Sequence, residues 1–119
     1  MKHLILITLT LMLLVACSQE PVVVPLDSTV ERQGIRYQVN SQEPFTGVGE
    51  EYYENGQLRV RFNYKAGELD GLCEWYYENG QLNERANYKA RLYDGLVEDY
   101  FENGQLKSKV NYKAGVPID

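Results

Sequence analysis

A five-residue string, Glu-Asn-Gly-Gln-Leu, occurs three times in this 119-residue chain, and each copy starts 24 residues after the previous one. A second string, Asn-Tyr-Lys-Ala, keeps the same period. The copies of the two strings are residues 54–58, 78–82 and 102–106, and residues 63–66, 87–90 and 111–114. A fixed period of this length is typical of repeat architectures, in which each unit buries its apolar surface only against its neighbours. The sequence therefore predicts three 24-residue units within residues 47–119, which begin at Gly47, Gly71 and Gly95 and span 47–70, 71–94 and 95–118.

Each unit is predicted to contain two strands joined at its Asn-Gly dipeptide, because Asn-Gly between strand-like runs favours a type I′ hairpin turn. The crossing at residues 65–70 is predicted to be a longer turn, with Gly67 in the left-handed region. Repeat two has Arg91 at this position, which indicates either another turn type or about 1 kcal/mol of strain. The predicted fold class is all-β: an elongated, single-layer antiparallel meander of consecutive β-hairpins.

A two-residue Asn-Gly turn places Glu50 opposite Arg61 on the neighbouring strand. The same pairing recurs in the other units, as Glu74 with Arg85 and Glu98 with Lys109. Each opposite-charge pair stabilises the sheet by about 0.2–1 kcal/mol, so its occurrence in all three units favours this register. A three-residue loop with a bulge at the glycine would instead shift the pairing by one residue.

This register assigns the aromatic residues to two faces of the sheet. The more apolar face is predicted to carry Tyr53, Leu58, Phe62, Tyr64 and their counterparts Tyr77, Leu82, Ala86, Tyr88, Phe101, Leu106, Val110 and Tyr112. The other face carries Tyr52, Tyr76 and Tyr100 beside the charged pairs. A single layer has no second sheet, so curvature, the N-terminal segment or another chain must cover the apolar face.

The N-terminus contains an apolar run, Leu4–Val15, which would span about 18 Å as a helix. That length is too short for a hydrocarbon core of about 30 Å and is typical of a signal peptide, here residues 1–16. An ordinary buried helix is the alternative. The sequence Leu14-Val15-Ala16-Cys17 resembles the lipobox of bacterial lipoproteins. The resemblance implies cleavage before Cys17, attachment of diacylglycerol to its sulfur, and acylation, for example with palmitate, of the new N-terminus.

Ser18 after the cysteine resembles lipoproteins that are passed to the outer membrane, which implies a lipid-anchored protein of the cell envelope facing the periplasm. Residues 17–33 are predicted to be the acylated N-terminus and a flexible tether. The alternative is a short edge strand at Val22–Val24, confined to an edge by Pro21 and Pro25. Residues 34–46 are predicted to form an N-terminal strand that pairs with repeat one, followed by a turn.

The unit Gly71–Leu82, with Asn87–Ala90 after it, resembles the bacterial variant of the MORN repeat. The lead-in at Tyr37 and Glu43–Gly47 is similar to proteins grouped as the toxin–antitoxin system YwqK family antitoxin. The resemblance covers about residues 34–116 and implies an elongated antiparallel sheet of hairpins. The chain departs from the family pattern two places after each repeat glycine, where the tryptophan is replaced by Gly49, Cys73 and Val97; Trp75 lies two residues further on.

The composition excludes several chemistries. The net charge of −5 disfavours binding to nucleic acid. The only histidine, His3, lies in the predicted signal peptide, so the mature chain lacks the commonest general base and metal ligand. Equivalent carboxylates such as Glu50 and Glu74 lie two strands apart, about 9–10 Å, too far to share one calcium ion. Cys73, without a base, is predicted to be a packed side chain, with an intermolecular disulfide as the alternative. We therefore expect no enzymatic activity, no metal site and no cofactor.

The tyrosines are the best candidates for binding, because each combines a rigid apolar ring with a polar tip. The candidate interaction residues are Tyr52, Tyr76, Tyr100, Tyr64, Tyr88, Tyr112 and Trp75. The alternative is that these rings only cover the sheet on which they stand. The predicted function is a membrane-anchored, non-enzymatic module that binds an unknown protein partner or forms a homo-oligomer. The alternative function is an antitoxin or immunity protein that binds a toxin.

Overall fold

The computed structural model describes residues 20–118, which form ten β-strands and a single turn of 3-10 helix at Leu26–Ser28. The strands are β1 (Val23–Pro25), β2 (Thr29–Arg32), β3 (Ile35–Gln38), β4 (Gly47–Tyr52), β5 (Leu58–Lys65), β6 (Glu68–Tyr76), β7 (Leu82–Lys89), β8 (Leu92–Tyr100), β9 (Leu106–Lys113) and β10 (Val116–Ile118). The predicted signal peptide and the candidate lipidation site Cys17 lie outside the described residues.

Eight strands form one sheet in the order β1-β4-β5-β6-β7-β8-β9-β10, and β2 pairs only with β3. From β4 onward each strand pairs antiparallel with the next strand in the chain, whereas β1 lies parallel to β4 at one edge. The predicted fold class, an all-β meander of consecutive hairpins, is confirmed.

The N-terminal segment has more structure than a flexible tether. The short strand β1 matches the edge-strand alternative, and β2 follows it after the helical turn. The expectation that the first strand after Gly34 pairs with repeat one is wrong, because β3 pairs with β2. The reason is the dipeptide Gln33-Gly34, whose φ angles of 51° and 80° form a tight turn that folds β3 back onto β2. We call β2 and β3 together the N-terminal hairpin.

The turn at each Asn-Gly is a three-residue loop and not the expected type I′ turn. In repeat one, the Gly56 N–H donates to the Tyr53 carbonyl and the Tyr53 N–H donates to the Gln57 carbonyl. Only Gly56 has a positive φ, of 85°, whereas Asn55 does not. Asn55 uses its side chain instead, since its Oδ1 accepts a hydrogen bond from the Gln57 N–H at 3.0 Å. This Asx hydrogen bond stabilises a loop with one residue more than a type I′ hairpin.

A second irregularity in each hairpin cancels the shift that this longer loop introduces. Tyr52 pairs with Leu58, but Glu51 pairs with Val60, so Arg59 is the extra residue of a β-bulge. Beyond the bulge the predicted register returns, and all three Glu–Arg or Glu–Lys pairs are confirmed by the strand pairing. The two-residue turn expected from the sequence would pair Tyr52 with Arg59, and this part of the register is wrong because Tyr52 pairs with Leu58.

The type I′ turns lie at the other crossings. Lys65 pairs with Glu68, so the connection is the two residues Ala66 and Gly67, with φ of 49° and 78°, and not the predicted longer turn. The left-handed φ predicted for Gly67 is confirmed. In repeat two Arg91 adopts φ of 71°, so this crossing keeps its turn type and accepts the strain of a non-glycine residue.

Side chains near the Asn-Gly loops connect each repeat to the following one. The Tyr53 hydroxyl donates to the Tyr76 carbonyl and the Tyr77 hydroxyl donates to the Tyr100 carbonyl, both at 2.7 Å. Two asparagine side chains make similar bonds, from Asn55 to the Glu78 carbonyl and from Asn79 to the Glu102 carbonyl. The equivalent of Tyr53 and Tyr77 in repeat three is Phe101, which has no hydroxyl; within residues 20–118 no further repeat follows it.

We expect Tyr77→Phe to lower the free energy of unfolding by about 1 kcal/mol, because it removes one hydrogen bond to a carbonyl between repeats. Chemical denaturation monitored by circular dichroism measures this change. The matched control is the reverse substitution, Phe101→Tyr, whose new hydroxyl finds no carbonyl of a later repeat within residues 20–118. An equal effect of both substitutions would show that the Tyr77 bond does not connect the repeats.

Candidate functional site

Seven aromatic rings form a continuous row along one face of the sheet, which we call the aromatic row. Consecutive ring centroids lie 4.9–6.5 Å apart, within the range of favourable aromatic pairs. In spatial order the rings are Phe45, Tyr64, Phe62, Trp75, Tyr88, Tyr93 and Tyr112. The row crosses from repeat one to repeat three, so it is a surface that exists only when the repeats are stacked in register.

The N-terminal segment covers the start of this row. Leu26 packs against Gly49, where an added Cβ would lie 2.5 Å from its side chain, and Ile35 packs against Gly67 in the same way. The N-terminal hairpin is held there by the Arg36 N–H, which donates to the Gly67 carbonyl at 2.9 Å. Tyr64 is accordingly only 8% exposed. The covering segment that the single-layer fold requires is therefore, over repeat one, the chain's own N-terminal part.

Beyond repeat one the aromatic row is open. Trp75, Tyr88, Tyr93 and Tyr112 are half-buried, and their partial burial comes from their neighbours in the row. Burial, followed by a hydrogen bond with Tyr93, raises the pKa of Tyr88 above its ordinary value. This hydroxyl therefore stays protonated throughout the physiological range and can both donate and accept hydrogen bonds.

Arg91 marks the boundary between the covered and open parts of the row. Its guanidinium donates to the Gly34 carbonyl at the turn of the N-terminal hairpin, at 3.1 Å, and forms an ion pair with Glu68 at 3.4 Å. These contacts explain why a strained arginine replaces the turn glycine of the other repeats. A cavity of about 280 Å³ lies beside it, between Arg91, Arg36 and Tyr64. Both arginines have carboxylate partners, Glu68 and Glu31 respectively, so the charges around this cavity are balanced.

The opposite face carries the charged pairs. Arg61 lies 3.4 Å from Glu50, and Arg85 lies 3.2 Å from Glu74. The tyrosines of this face donate to the same carboxylates: Tyr100 bonds Glu98 at 2.7 Å, which raises the Tyr100 pKa. The bulges also bring three leucines to this face, because each pairs directly with one of these tyrosines. The leucines are Leu58, Leu82 and Leu106, whose prediction on the apolar face is wrong.

The seven candidate interaction residues do not form one surface. Tyr64, Tyr88, Tyr112 and Trp75 belong to the aromatic row. The other three lie on the charged face, as the predicted register implied: Tyr52, Tyr76 and Tyr100. A single ligand therefore contacts one group or the other, and of the two groups only the residues of the aromatic row take part in ring contacts from repeat to repeat within residues 20–118.

One acidic pair was not expected from the sequence. Glu84 and Asp99 are directly paired on neighbouring strands of the aromatic face. Each has a hydroxyl donor: Tyr93 donates to Glu84 at 3.3 Å, and Ser108 donates to Asp99 at 2.8 Å. Burial and the neighbouring Asp99 raise the pKa of Glu84. Two like charges in direct cross-strand contact are destabilising, so this pair favours the protonated form of Glu84.

Three further possibilities from the sequence concern a reactive Cys73 thiol, a metal site and a helix that crosses a membrane. Cys73 is completely buried, and burial raises the pKa of its thiol to about 11, so the thiolate needed for nucleophilic attack is scarce at neutral pH. This agrees with its interpretation as a packed side chain. Among residues 20–118 no three His, Cys, Asp or Glu side chains are grouped so that they could hold a metal ion. In the same part of the chain no helix is long and apolar enough to cross a bilayer.

A model of the MORN repeat variant family matches three consecutive segments, residues 45–66, 69–90 and 93–114, which together make up more than half of the chain. The chain belongs to the MORN repeat variant family. The resemblance to MORN repeats is thus confirmed. Searches among curated proteins and among solved structures gave no match. MORN repeats commonly serve as interaction modules and are generally not catalytic.

The MORN segments begin at Phe45, Leu69 and Tyr93, a position that was not singled out in the sequence. Phe45 and Tyr93 are members of the aromatic row, and Leu69 packs against its buried start. These three apolar or aromatic residues also recur with the 24-residue period, each two residues before a repeat glycine. Units that begin at the glycines separate each of these residues from the repeat that it opens.

We expect Glu84→Gln to raise the melting temperature at pH 7 more than at pH 4. The folded-state pKa of Glu84 is raised, so this carboxyl contributes most to stability when protonated and loses that contribution as pH rises through the folded pKa. Glutamine resembles the protonated form at every pH. Thermal denaturation between pH 4 and pH 8 measures the difference, with Glu102→Gln in an exposed loop as the control. An equal rise in melting temperature at every pH would show that the effect of Glu84→Gln does not come from the titration of Glu84.

Proposed function

We propose that this protein is a non-enzymatic, lipid-anchored protein of the cell envelope that binds a protein partner, or a second copy of itself, through the open part of its aromatic row. The observation that carries the proposal is the row itself. Four neighbouring rings remain half-buried where the N-terminal hairpin no longer covers them. Rows of this kind combine large apolar area with few rotatable bonds, which makes them favourable for binding.

The N-terminal hairpin supports a peptide or protein as the occupant of the open part. Over repeat one this hairpin contributes one backbone hydrogen bond to Gly67, an isoleucine against the same glycine, and the Arg36 guanidinium 5.9 Å from the Tyr64 ring centroid. The chain thus contains one example of a segment that fits the aromatic row. A partner strand or hairpin with similar residues would extend this cover over Trp75, Tyr88 and Tyr112.

The groups that the sequence offered for chemistry have structural partners within residues 20–118. The Cys73 thiol is buried. The charged face is neutralised by its own ion pairs. The carboxylates of the Glu84–Asp99 pair accept hydrogen bonds from the Tyr93 and Ser108 hydroxyls.

The binding proposal is tested by light-scattering mass of a chain that begins at Ser18, compared with Tyr88→Ala and Tyr76→Ala variants. These two tyrosines belong to the same repeat but to opposite faces, so they are matched controls for each other. We expect any dimer of the unmodified chain to be lost in Tyr88→Ala and kept in Tyr76→Ala. The opposite result would assign binding to the charged face. If all three chains are monomeric, photo-crosslinking from position 88 in cells tests for a different protein as partner.

The lipid anchor in this proposal rests on the sequence Leu14–Cys17 alone, and Ser18 supports an outer-membrane address facing the periplasm. We expect labelled palmitate to be incorporated into the wild-type protein in bacterial cells and not into Cys17→Ala. Intact mass spectrometry of the purified protein measures the added diacylglycerol and acyl groups. A Cys73→Ala variant is the control for nonspecific thiol acylation and should stay labelled. Equal mass of the wild type and Cys17→Ala after signal-peptide removal would contradict the anchor.

A further inference from the structure

The open part of the aromatic row lies beside two carboxylates, Glu84 and Asp99, which we call the acidic pair. Trp75 pairs directly with Glu84 across β6 and β7, and Glu84 pairs directly with Asp99 across β7 and β8. The Tyr93 hydroxyl donates to Glu84 at 3.3 Å, so the tyrosine side chain also reaches the acidic pair. All four side chains are half-buried, and their strands lie in the interior of the eight-stranded sheet. Two carboxylates therefore lie beside two aromatic side chains in the middle of the sheet.

The acidic pair has hydroxyl donors but no basic partner in the described part of the chain. On the opposite face Glu50 and Glu74 each form an ion pair with an arginine. None of the ion pairs found among residues 20–118 includes Glu84 or Asp99. The hydroxyls of Tyr93 and Ser108 occupy one oxygen of each carboxylate, Oε1 of Glu84 and Oδ2 of Asp99. An ionised carboxylate has two acceptor oxygens, so each member of the pair keeps the capacity to accept further hydrogen bonds.

Acidic side chains on an exposed face often only improve solubility. That explanation does not account for the direct pairing of Glu84 with Asp99, because like charges opposite each other destabilise a sheet. The fold does not require an acid at this position either. The residues equivalent to Glu84 in the other two repeats are Val60 and Ser108. The acidic pair is thus an unfavourable arrangement that the repeat pattern alone does not explain.

The N-terminal hairpin shows which group fits between an aromatic ring and a carboxylate in this chain. Over repeat one, the Arg36 guanidinium lies 5.9 Å from the ring centroid of Tyr64 and 3.4 Å from the carboxylate of Glu31. There the hairpin brings both the arginine and the carboxylate. The counterpart of Tyr64 in repeat two is Tyr88, and in that repeat the carboxylates belong to the sheet itself. Repeat two therefore has the rings and carboxylates of this arrangement, and a guanidinium would complete it.

We propose that the open part of the aromatic row binds a basic segment of another protein, with an arginine of that segment placed between the acidic pair and the rings of Trp75 and Tyr93. This inference rests on the proposed function and names the chemistry of its partner. A guanidinium has a planar fork of N–H donors that can bond both carboxylates, and its flat faces pack favourably on aromatic rings. Its positive charge also offsets the repulsion between the carboxylates and favours their ionised forms. A pair that destabilises the free chain is thus favourable in the complex.

A second copy of the chain does not fit this site through its own aromatic row. Two rows packed face to face would bring two acidic pairs into one interface, and like charges across an interface are unfavourable. The net charge of −5 also favours the encounter with a basic partner over the encounter with another copy. The acidic pair therefore favours a different protein as the occupant of the row.

The test uses a synthetic peptide with the sequence of residues 34–39, Gly-Ile-Arg-Tyr-Gln-Val, because this segment contains the strand that lies over repeat one. Trp75 is the only tryptophan of the chain and pairs with Glu84, so its fluorescence reports binding at this site. The full chain in detergent micelles is titrated with this peptide and with one in which glutamine replaces the arginine. We expect the arginine peptide to change the Trp75 emission and to bind about tenfold more tightly than the glutamine peptide. Equal affinities of the two peptides, or no binding of the arginine peptide, would overturn the proposal.

A substitution in the acidic pair separates the specific contact from general attraction to an acidic protein. Glu84→Gln should lose most of the preference for the arginine peptide. Glu102→Gln is the matched control, because it removes the same charge from an exposed loop, and it should keep the preference. Glu84→Gln is expected to stabilise the fold at pH 7, so a loss of binding in this variant does not come from unfolding. An equal loss of the preference in both variants would contradict recognition by the acidic pair.

Tyr88→Ala distinguishes this inference from the proposed function on which it rests. We expect this variant to weaken the binding of both peptides, because both contact the aromatic row. If the unmodified chain binds the two peptides equally and Tyr88→Ala weakens both, the row remains the binding surface and only the arginine inference fails. If Tyr88→Ala leaves the affinity for the arginine peptide unchanged, the row is not the binding surface and both proposals fail.

Discussion

A single register must be kept across eight strands, and each hairpin keeps it through two irregularities that cancel. The three-residue loop at Gly56 shifts the pairing by one residue, and the bulge at Arg59 shifts it back. Without the bulge, Arg61 would lie opposite Gly49 and Glu50 opposite Val60, so charged and apolar side chains would exchange faces. The separation of an aromatic face from a charged face, on which the proposed binding surface depends, thus follows from the bulge.

Much of this fold could be predicted because periodicity and cross-strand charge are strong signals. The 24-residue repeat fixed the number of hairpins, and the recurrence of Glu50 with Arg61 identified the correct register. The turn types could not be predicted. Asn-Gly is compatible both with a type I′ turn and with a three-residue loop that ends in a left-handed glycine, and the choice depends on whether Asn55 uses its backbone or its side chain.

The candidate site was less predictable, because part of it lies outside the repeats. The division of the tyrosines between two faces followed from the register, but the covering N-terminal hairpin belongs to no repeating pattern. Arg91 contacts Gly34, a residue 57 positions earlier in the chain, and no local sequence signal indicates such a contact. The Glu84–Asp99 pair was hidden for a different reason. Glu84 occupies the repeat position of Val60 and Ser108, and Asp99 occupies that of Glu51 and Trp75, so no other paired strands place two acids opposite each other at these positions.

The short strand β1 has a consequence for the geometry of the protein at a bilayer. Its pairing with β4 begins at Val23, only six residues after Cys17. A fully extended chain spans at most about 3.3–3.6 Å per residue, so six residues reach about 20 Å. If Cys17 holds the lipid, the β1 edge of the sheet stays within about 20 Å of the lipid headgroups, and the other strands extend from that edge by about 4.8 Å each. A partner of the aromatic row would then have to come close to the same membrane.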